Sequence, residues 1–178
     1  QETVRLEELI QQLLSTDEGT LKFDKHVDLV ALLQQCCSDA KFEGENHNKS
    51  VAFSSDLSEA VIASSGDLLH KSFENVIRNA LHHTATGTTV EVSVSQVDET
   101  FVVTVEDRGP GVDEAELQRI FDEFYRVDSA RSRKDGGFGL GLAIARRAIS
   151  QHAGTLLATN SGHGLIVQAS LPKNLDNG

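Results

Sequence analysis

Methionine and tryptophan are absent from this 178-residue chain, and tyrosine occurs once. A chain that begins at Gln1 with no methionine anywhere reads as a piece cut from something larger. The two cysteines, Cys36 and Cys37, are adjacent. Sequence neighbours rarely reach disulfide geometry. With no third cysteine, the pair makes neither a disulfide framework nor a zinc site, and a reducing, cytosolic setting fits best. No apolar run is long enough to cross a bilayer, and no signal peptide is visible. Within a fragment, that says nothing of the parent protein. Basic residues are also short: 16 Lys and Arg against 27 Asp and Glu, a net charge of −11. Nucleic-acid binding needs a basic face to neutralise phosphates, so this balance argues against it.

What remains suits one globular domain with an apolar fraction of 39%. Leu6, Leu9, Ile10, Leu13 and Leu14 form one helical stripe that needs a covering partner. The polar run 15–20 reads as a linker. Asp28 is an N-cap candidate for a helix carrying Leu29, Val30, Leu32, Leu33, Cys36, Cys37 and Ala40. Residues 43–50 read as loop, and 51–53 and 60–62 as short strands. A helix is expected from Asp67 to His83, burying Leu68, Leu69, Phe73, Val76, Ile77, Ala80 and Leu81. Val90, Val92 and Val94, then Phe101, Val103 and Val105, alternate with mostly polar residues across a turn at Asp98-Glu99, which predicts a hairpin. Asp113 and Glu116 have the spacing of a capping box. A third helix is expected over Leu140–His152. Strands at 155–159 and 165–171 flank the turn Ser161-Gly162-His163-Gly164, and Pro172 stops the last of them. The sum is a two-layer α/β sandwich, with about five mainly antiparallel strands covered on one face by three helices.

Four stretches carry chemistry. Asn75 and Asn79 lie four apart, so both amides emerge on one side of a helix. Asn is a mediocre helix former, and two in register point to a small ligand or a metal. Asp107-Arg108-Gly109-Pro110-Gly111 follows the second hairpin strand. A carboxylate there can accept from an amine on a flat polar ligand, and Gly109 and Gly111 let the backbone turn sharply. Gly137-Phe138-Gly139-Leu140-Gly141-Leu142 opens a helix, where free N–H groups and the helix dipole favour phosphate. No P-loop lysine follows, and no strand feeds it as in a dinucleotide fingerprint. Between them, Arg126, Arg131, Arg133 and Lys134 fall within nine residues and make a candidate anion site in an acidic chain.

In their order and spacing, the Asn-bearing helix, D-R-G-P-G, F-D-E-F and G-F-G-L-G-L resemble one family. It is the catalytic ATP-binding domain of bacterial sensor histidine kinases, which shares its fold with gyrase, MutL and the Hsp90 chaperones. The segment F-Y-R-V-D-S-A-R-S-R before G-G-F-G-L-G-L is similar to the Cpx-type envelope-stress sensor kinases. The resemblance implies that Asn79, helped by Asn75, holds Mg²⁺ bridging the ATP phosphates. Asp107 would read the adenine amine, with Gly109, Gly111 and Val112 shaping the turn. His83 stands where the family often has an aromatic residue near the base, and His82 where it often has a basic residue near the phosphates. Phe121 and Phe124 would anchor a lid, with Tyr125 beside them. Arg126 and one of Arg131, Arg133 or Lys134 would approach the phosphates, and the backbone at Gly137, Gly139, Leu140, Gly141 and Leu142 would wrap them.

The resemblance also discriminates. ATP-hydrolysing relatives place a Glu four residues before the metal-binding Asn, to activate water. Here that position is Asn75, and an amide is no general base. Glu74 is rotated from it by about 100°. Phosphotransfer to a protein is therefore expected over hydrolysis. None of the seven histidines follows the family's phosphoacceptor pattern, so the catalytic set is incomplete within this sequence. The implied partners are ATP, a dimerisation domain carrying that His, and a response regulator. The implied parent is a homodimeric inner-membrane protein with this domain in the cytoplasm. The domain plan is 1–15 as the end of the dimerisation hairpin, 16–20 as linker, 21–173 as ATP-binding domain and 174–178 as tail. The competing expectations are a non-catalytic nucleotide- or protein-binding module and an ATPase of the same fold.

Overall fold

The computed structural model describes residues 22–65, 67–127 and 139–174. The stripe and linker at 1–20 lie outside them, as do Arg131, Arg133, Lys134, Gly137 and Phe138.

Strand β1 (Lys25–Asp28) leads into helix α1 (Leu29–Glu45). Asp28 caps it as expected, with Oδ1 accepting the N–H of Val30 at 3.0 Å. The same oxygen accepts from Ala60 at 2.8 Å. Strands β2 (Ser50–Ser55) and β3 (Val61–Ser64) follow, then α2 (Leu68–His83), β4 (Thr89–Val97) and β5 (Thr100–Glu106). Two single 3-10 turns, Glu114–Glu116 and Arg119–Phe121, precede α3 (Gly141–Gln151), β6 (Thr155–Asn160) and β7 (Leu165–Pro172).

The main sheet has the order β2-β4-β5-β7-β6. Only the β2–β4 pair is parallel, and the other three pairs are antiparallel. That is the mixed, mainly antiparallel five-stranded sheet the sequence pattern predicts. A two-stranded ribbon, β1 with β3, stands apart from it. The alternating valines explain the layering. Val92, Val105, Val167 and Ala158 lie in one register row, and Val94, Val103, Ala169 and Leu156 in the next. All eight are buried, and the three helices cover this face. Leu33, Phe73, Ile77 and Ile149 complete the core from the helical side.

Three expectations need correction. Helix α1 runs to Glu45 rather than ending before residue 43. Its last turn closes on Lys49, whose carbonyl lies so near Gly44 that a Cβ there would approach within 2.7 Å. Leu68 is half-buried and not part of the core. The capping box also fails: Asp113 makes no side-chain cap, and its carbonyl accepts the Glu116 N–H at 2.8 Å instead.

Candidate functional site

The turn after β5 is fixed from several directions. Asp107 is only 3% exposed. Its Oδ1 accepts the N–H of Gly109 at 2.8 Å and of Leu165 at 3.1 Å, and its own N–H donates to the Leu165 carbonyl at 3.0 Å. A buried carboxylate needs such donors in place of water. Among the described residues no hydrogen bond goes to Oδ2. Glycine is required around this carboxylate for want of room. A Cβ on Gly164 would sit 2.0 Å from the Asp107 carbonyl oxygen, and one on Gly109 would sit 2.5 Å from the His83 carbonyl. Gly111 has φ of +72°, a left-handed conformation in which a side chain is strained. The far end of the turn is held by Asn160, which accepts the Val112 N–H at 3.0 Å and donates to the Val112 carbonyl at 2.6 Å.

Helix α2 carries the amides. Its apolar stripe faces the core, which leaves Asn75 and Asn79 half-buried on a flank. Asn75 lies against the start of α3: a Cβ on Gly141 would meet its Cβ, Cγ and Oδ1 at 3.7 Å. Nearby, the Ser72 hydroxyl donates to the Ala145 carbonyl at 3.3 Å, tying the two helices together. The Asn75 Nδ2 is buried without a partner. An unsatisfied buried donor is uncommon and costly, and asks for an acceptor from elsewhere. The neighbouring Glu74 faces away. Its carboxylate pairs with Arg78 at 3.2 Å, and Arg78 in turn pairs with Glu43 of α1 at 3.1 Å.

At the other end of α2, about 12 Å along the axis from Asn75, the rings of His82 and His83 meet edge-on at 4.9 Å. Both side chains are largely exposed by surface area. Even so, the protein atoms packed around His83 push its pKa below the ordinary histidine value. His82, Lys49 and Arg126 push the same way, and Asp107 opposes them. Lys49 sits at this helix end because its Nζ donates to the last carbonyls, Leu81 at 3.0 Å and His82 at 2.9 Å.

The aromatic segment is split. Phe121 is buried, with the Arg146 guanidinium 5.4 Å from its ring centre. Phe124 is no anchor: it is 64% exposed and has φ of +62°. Its backbone holds instead, with the N–H donating to the Gly139 carbonyl at 2.9 Å. Gly139 has φ of +71°, and a Cβ there would lie 2.8 Å from the Tyr125 carbonyl. Tyr125 packs on the core, donates its hydroxyl to Glu116 at 2.5 Å, and carries Arg119 over its ring at 4.3 Å. Glu116, accepting that proton, holds the phenol above its usual range. Leu140 and Leu142 turn their side chains into the protein, and Gly141 is the first residue of α3.

The structure therefore brings Asp107, Gly109 and the end of α2 together, and sets Asn75 against Gly141. Sequence reasoning missed Thr84, Lys49, Asn160 and the Gly164–Leu165 pair. None of them carries a local signal, because each acts through a partner distant in sequence.

Residues 65–175 match the family described as histidine kinase-, DNA gyrase B-, and HSP90-like ATPase. The chain belongs to this family. It is 32% identical over 170 residues to the signal transduction histidine-protein kinase BaeS of Escherichia coli strain K12, covering 94% of this chain and 36% of that protein. It is 34% identical over 166 residues to the sensor histidine kinase CpxA of the same strain, covering 92% and 36%. The likeness thus extends to sensor kinases beyond the Cpx type. The chain spans about a third of the length of these curated relatives. Among solved structures, full-length ShkA in complex with AMPPNP superposes with a TM-score of 0.76 at 25% identity, over 94% of this chain and 36% of that one. The HATPase fold is the one that the five-stranded sheet and three helices describe.

Proposed function

We propose that this chain is the ATP-binding catalytic domain of a two-component sensor histidine kinase. It transfers the γ-phosphoryl of Mg-ATP to a His on a dimerisation domain, for relay to the Asp of a response regulator. The observation that carries this reading is the pair Asn75 and Glu74. The position that would need a carboxylate to activate water holds an amide against Gly141, and the adjacent carboxylate is drawn away by Arg78. Without a general base, the site favours positioning of the phosphoryl group for another nucleophile.

The donor set fits a magnesium nucleotide. Among the described residues no group of three or more His, Cys, Asp and Glu gathers to hold a metal. A hard cation here would rely on amide oxygens and on the ligand's own phosphates. Asn79 would hold it, and the unpartnered Nδ2 of Asn75 suits a phosphate oxygen. When bound, Mg²⁺ neutralises charge that develops on the transferring group. Asp107 accepts from the adenine amine through Oδ2, while its Oδ1 is held by Gly109 and Leu165. Gly111 and Val112 would line the base end of that turn, whose Gly109 lies against the His83 carbonyl. His82, Arg126, and one of Arg131, Arg133 or Lys134 meet the phosphates. The backbone N–H groups of Gly137, Gly139, Leu140, Gly141 and Leu142 would add to that field. ShkA, the relative solved with AMPPNP, supports the nucleotide assignment. We propose further that the parent is a homodimer at the inner membrane, with this domain on the cytoplasmic side; the relatives' names support a sensor kinase. No described helix is long and apolar enough to cross a membrane. The domain plan set out from the sequence is retained.

The test mixes this chain with γ-labelled ATP and a separate helical hairpin carrying the acceptor His. Label should pass to that His. An ATP-binding-competent chain that leaves it unlabelled would overturn the kinase assignment. Steady phosphate release by the chain alone, abolished by Glu74→Gln, would replace it with the ATPase.

A further inference from the structure

Asn160 stands on the hairpin between β6 and β7, 48 residues beyond Val112 in sequence, yet it treats Val112 as a strand neighbour. One face of its amide accepts the Val112 N–H at 3.0 Å, and the other donates to the Val112 carbonyl at 2.6 Å. That reciprocal pairing fixes which way the amide points. Across the same hairpin, Asn160 is the register partner of Leu165. Leu165 in turn grips Asp107 through its N–H at 3.1 Å and its carbonyl at 3.0 Å. Two facing residues of one hairpin thus hold the two ends of the 107–112 turn. Between these grips, Gly111 takes φ of +72° under the Asn160 side chain, where a Cβ would come within 2.7 Å of Oδ1. Nothing else among the described hydrogen bonds holds the Val112 end.

We infer that Asn160 is a positioning residue for purine recognition: by clasping Val112 it sets the span of the turn from Asp107, and so the width of the slot in which the base lies. The inference rests on the ATP-binding reading above and adds a residue to it. Asn160 touches the turn alone and acts through it. Its effect falls on the base end of a ligand and leaves the phosphate end, built from α2 and the start of α3, as it was.

The test compares AMP and ATP binding by calorimetry for the wild type, Asn160→Ala and Asn160→Asp. Asn160→Ala removes both hydrogen bonds and should weaken the two nucleotides by the same factor, about tenfold. The ratio of ATP to AMP affinity then stays at its wild-type value. Asn160→Asp keeps an acceptor for the Val112 N–H but sets an oxygen against the Val112 carbonyl, so it should lose at least as much. A second readout needs no ligand: amide hydrogen exchange at Val112 should speed up in both variants, with the melting temperature nearly unchanged. A merely structural role would lower the melting temperature and spread faster exchange through β6 and β7. Wild-type affinity for both nucleotides in both variants would overturn the inference and leave the function standing. So would a loss confined to ATP. A wild-type chain that binds neither nucleotide would sink both.

Discussion

The hydroxyl of Thr84 accepts the backbone N–H of Arg108 at 2.9 Å, joining the end of α2 to the turn that follows β5. Thr84 is 2% exposed, and it does not act alone. Its oxygen lies 2.8 Å from the Thr88 hydroxyl, and Thr88 donates to the Ala85 carbonyl. Since Thr88 gives its proton to Ala85, Thr84 must donate to Thr88. The proton order is therefore set from Arg108 through both threonines. Thr84→Val keeps the shape and breaks the order at its centre. It leaves a peptide N–H unsatisfied, at a cost of about 2 kcal/mol. Urea unfolding should show the midpoint falling with the slope unchanged.

Gly164→Ala should be worse. The added Cβ would press on the backbone of Asp107 and on its Oδ1, which is itself held by the N–H groups of Gly109 and Leu165. Relief requires the hairpin and the turn to part, which breaks the Leu165 contacts with the carboxylate. A loss of about 3 kcal/mol or more is expected, in the range reserved for strain and overpacking. Nucleotide affinity, followed by fluorescence of a labelled analogue, should fall below detection. Gly162→Ala is the control. Its φ of +82° carries backbone strain, but nothing lies within 4 Å of the new atom.

His152 should make the fold sensitive to mild acid. It is fully buried at the end of α3, with Nδ1 2.7 Å from the Ala148 carbonyl and Nε2 2.9 Å from the Ser64 hydroxyl. The carbonyl can only accept, so Nδ1 carries the proton and Nε2 takes one from Ser64. Phe23 meets the ring edge-on at 5.0 Å. Burial lowers the pKa from its ordinary value of 6.5, and the Ala148 bond only partly offsets this. The unfolded chain therefore binds this proton more readily than the folded one. Stability from this group is complete above pH 6.5 and declines as pH falls through the folded pKa. His83, also depressed, adds in the same direction. Urea midpoints measured downward from neutral pH should fall, and His152→Gln should flatten part of that fall.

Much of this architecture is legible in the sequence, and the failures have physical reasons. Val90, Val92, Val94, Val103 and Val105 announce their strands because one face is buried and the other is not, so alternation survives. Strand β1 has no such mark: Lys-His-Val-Asp is written as a strand only by its pairing with β3. Asp107, Asn75 and Asn79 stand out because their residue types are unusual for their places. Asn160 and Thr84 do not, since a polar residue at a strand end or helix end looks ordinary until its distant partner is known. Phe124 misleads for the opposite reason, since its aromatic ring suggests an anchor and its positive φ turns it to solvent.

The adjacent thiols should be inert in the native state. Burial pushes both Cys36 and Cys37 up to about 12. For Cys36 the neighbouring Cys37, Glu74 and Asp39 push further in the same direction. The thiolate is the reactive form, so neither should react with a disulfide reagent at pH 8 on a timescale of minutes. Both should react at once in denaturant. Rapid labelling of the folded chain would show that α1 opens locally.

The grip of Leu165 on Asp107 fixes a sequence of events during synthesis. As the polypeptide leaves the ribosome, β4 and β5 emerge well before the hairpin that steadies the acid between them and the solvent. Until β7 has paired with β5, that carboxylate lacks two of the contacts that orient it. A nascent chain can therefore own most of its hydrophobic interior and still be unable to recognise a ligand. Competence waits for β7, so truncations that remove this strand should abolish recognition well before they abolish collapse.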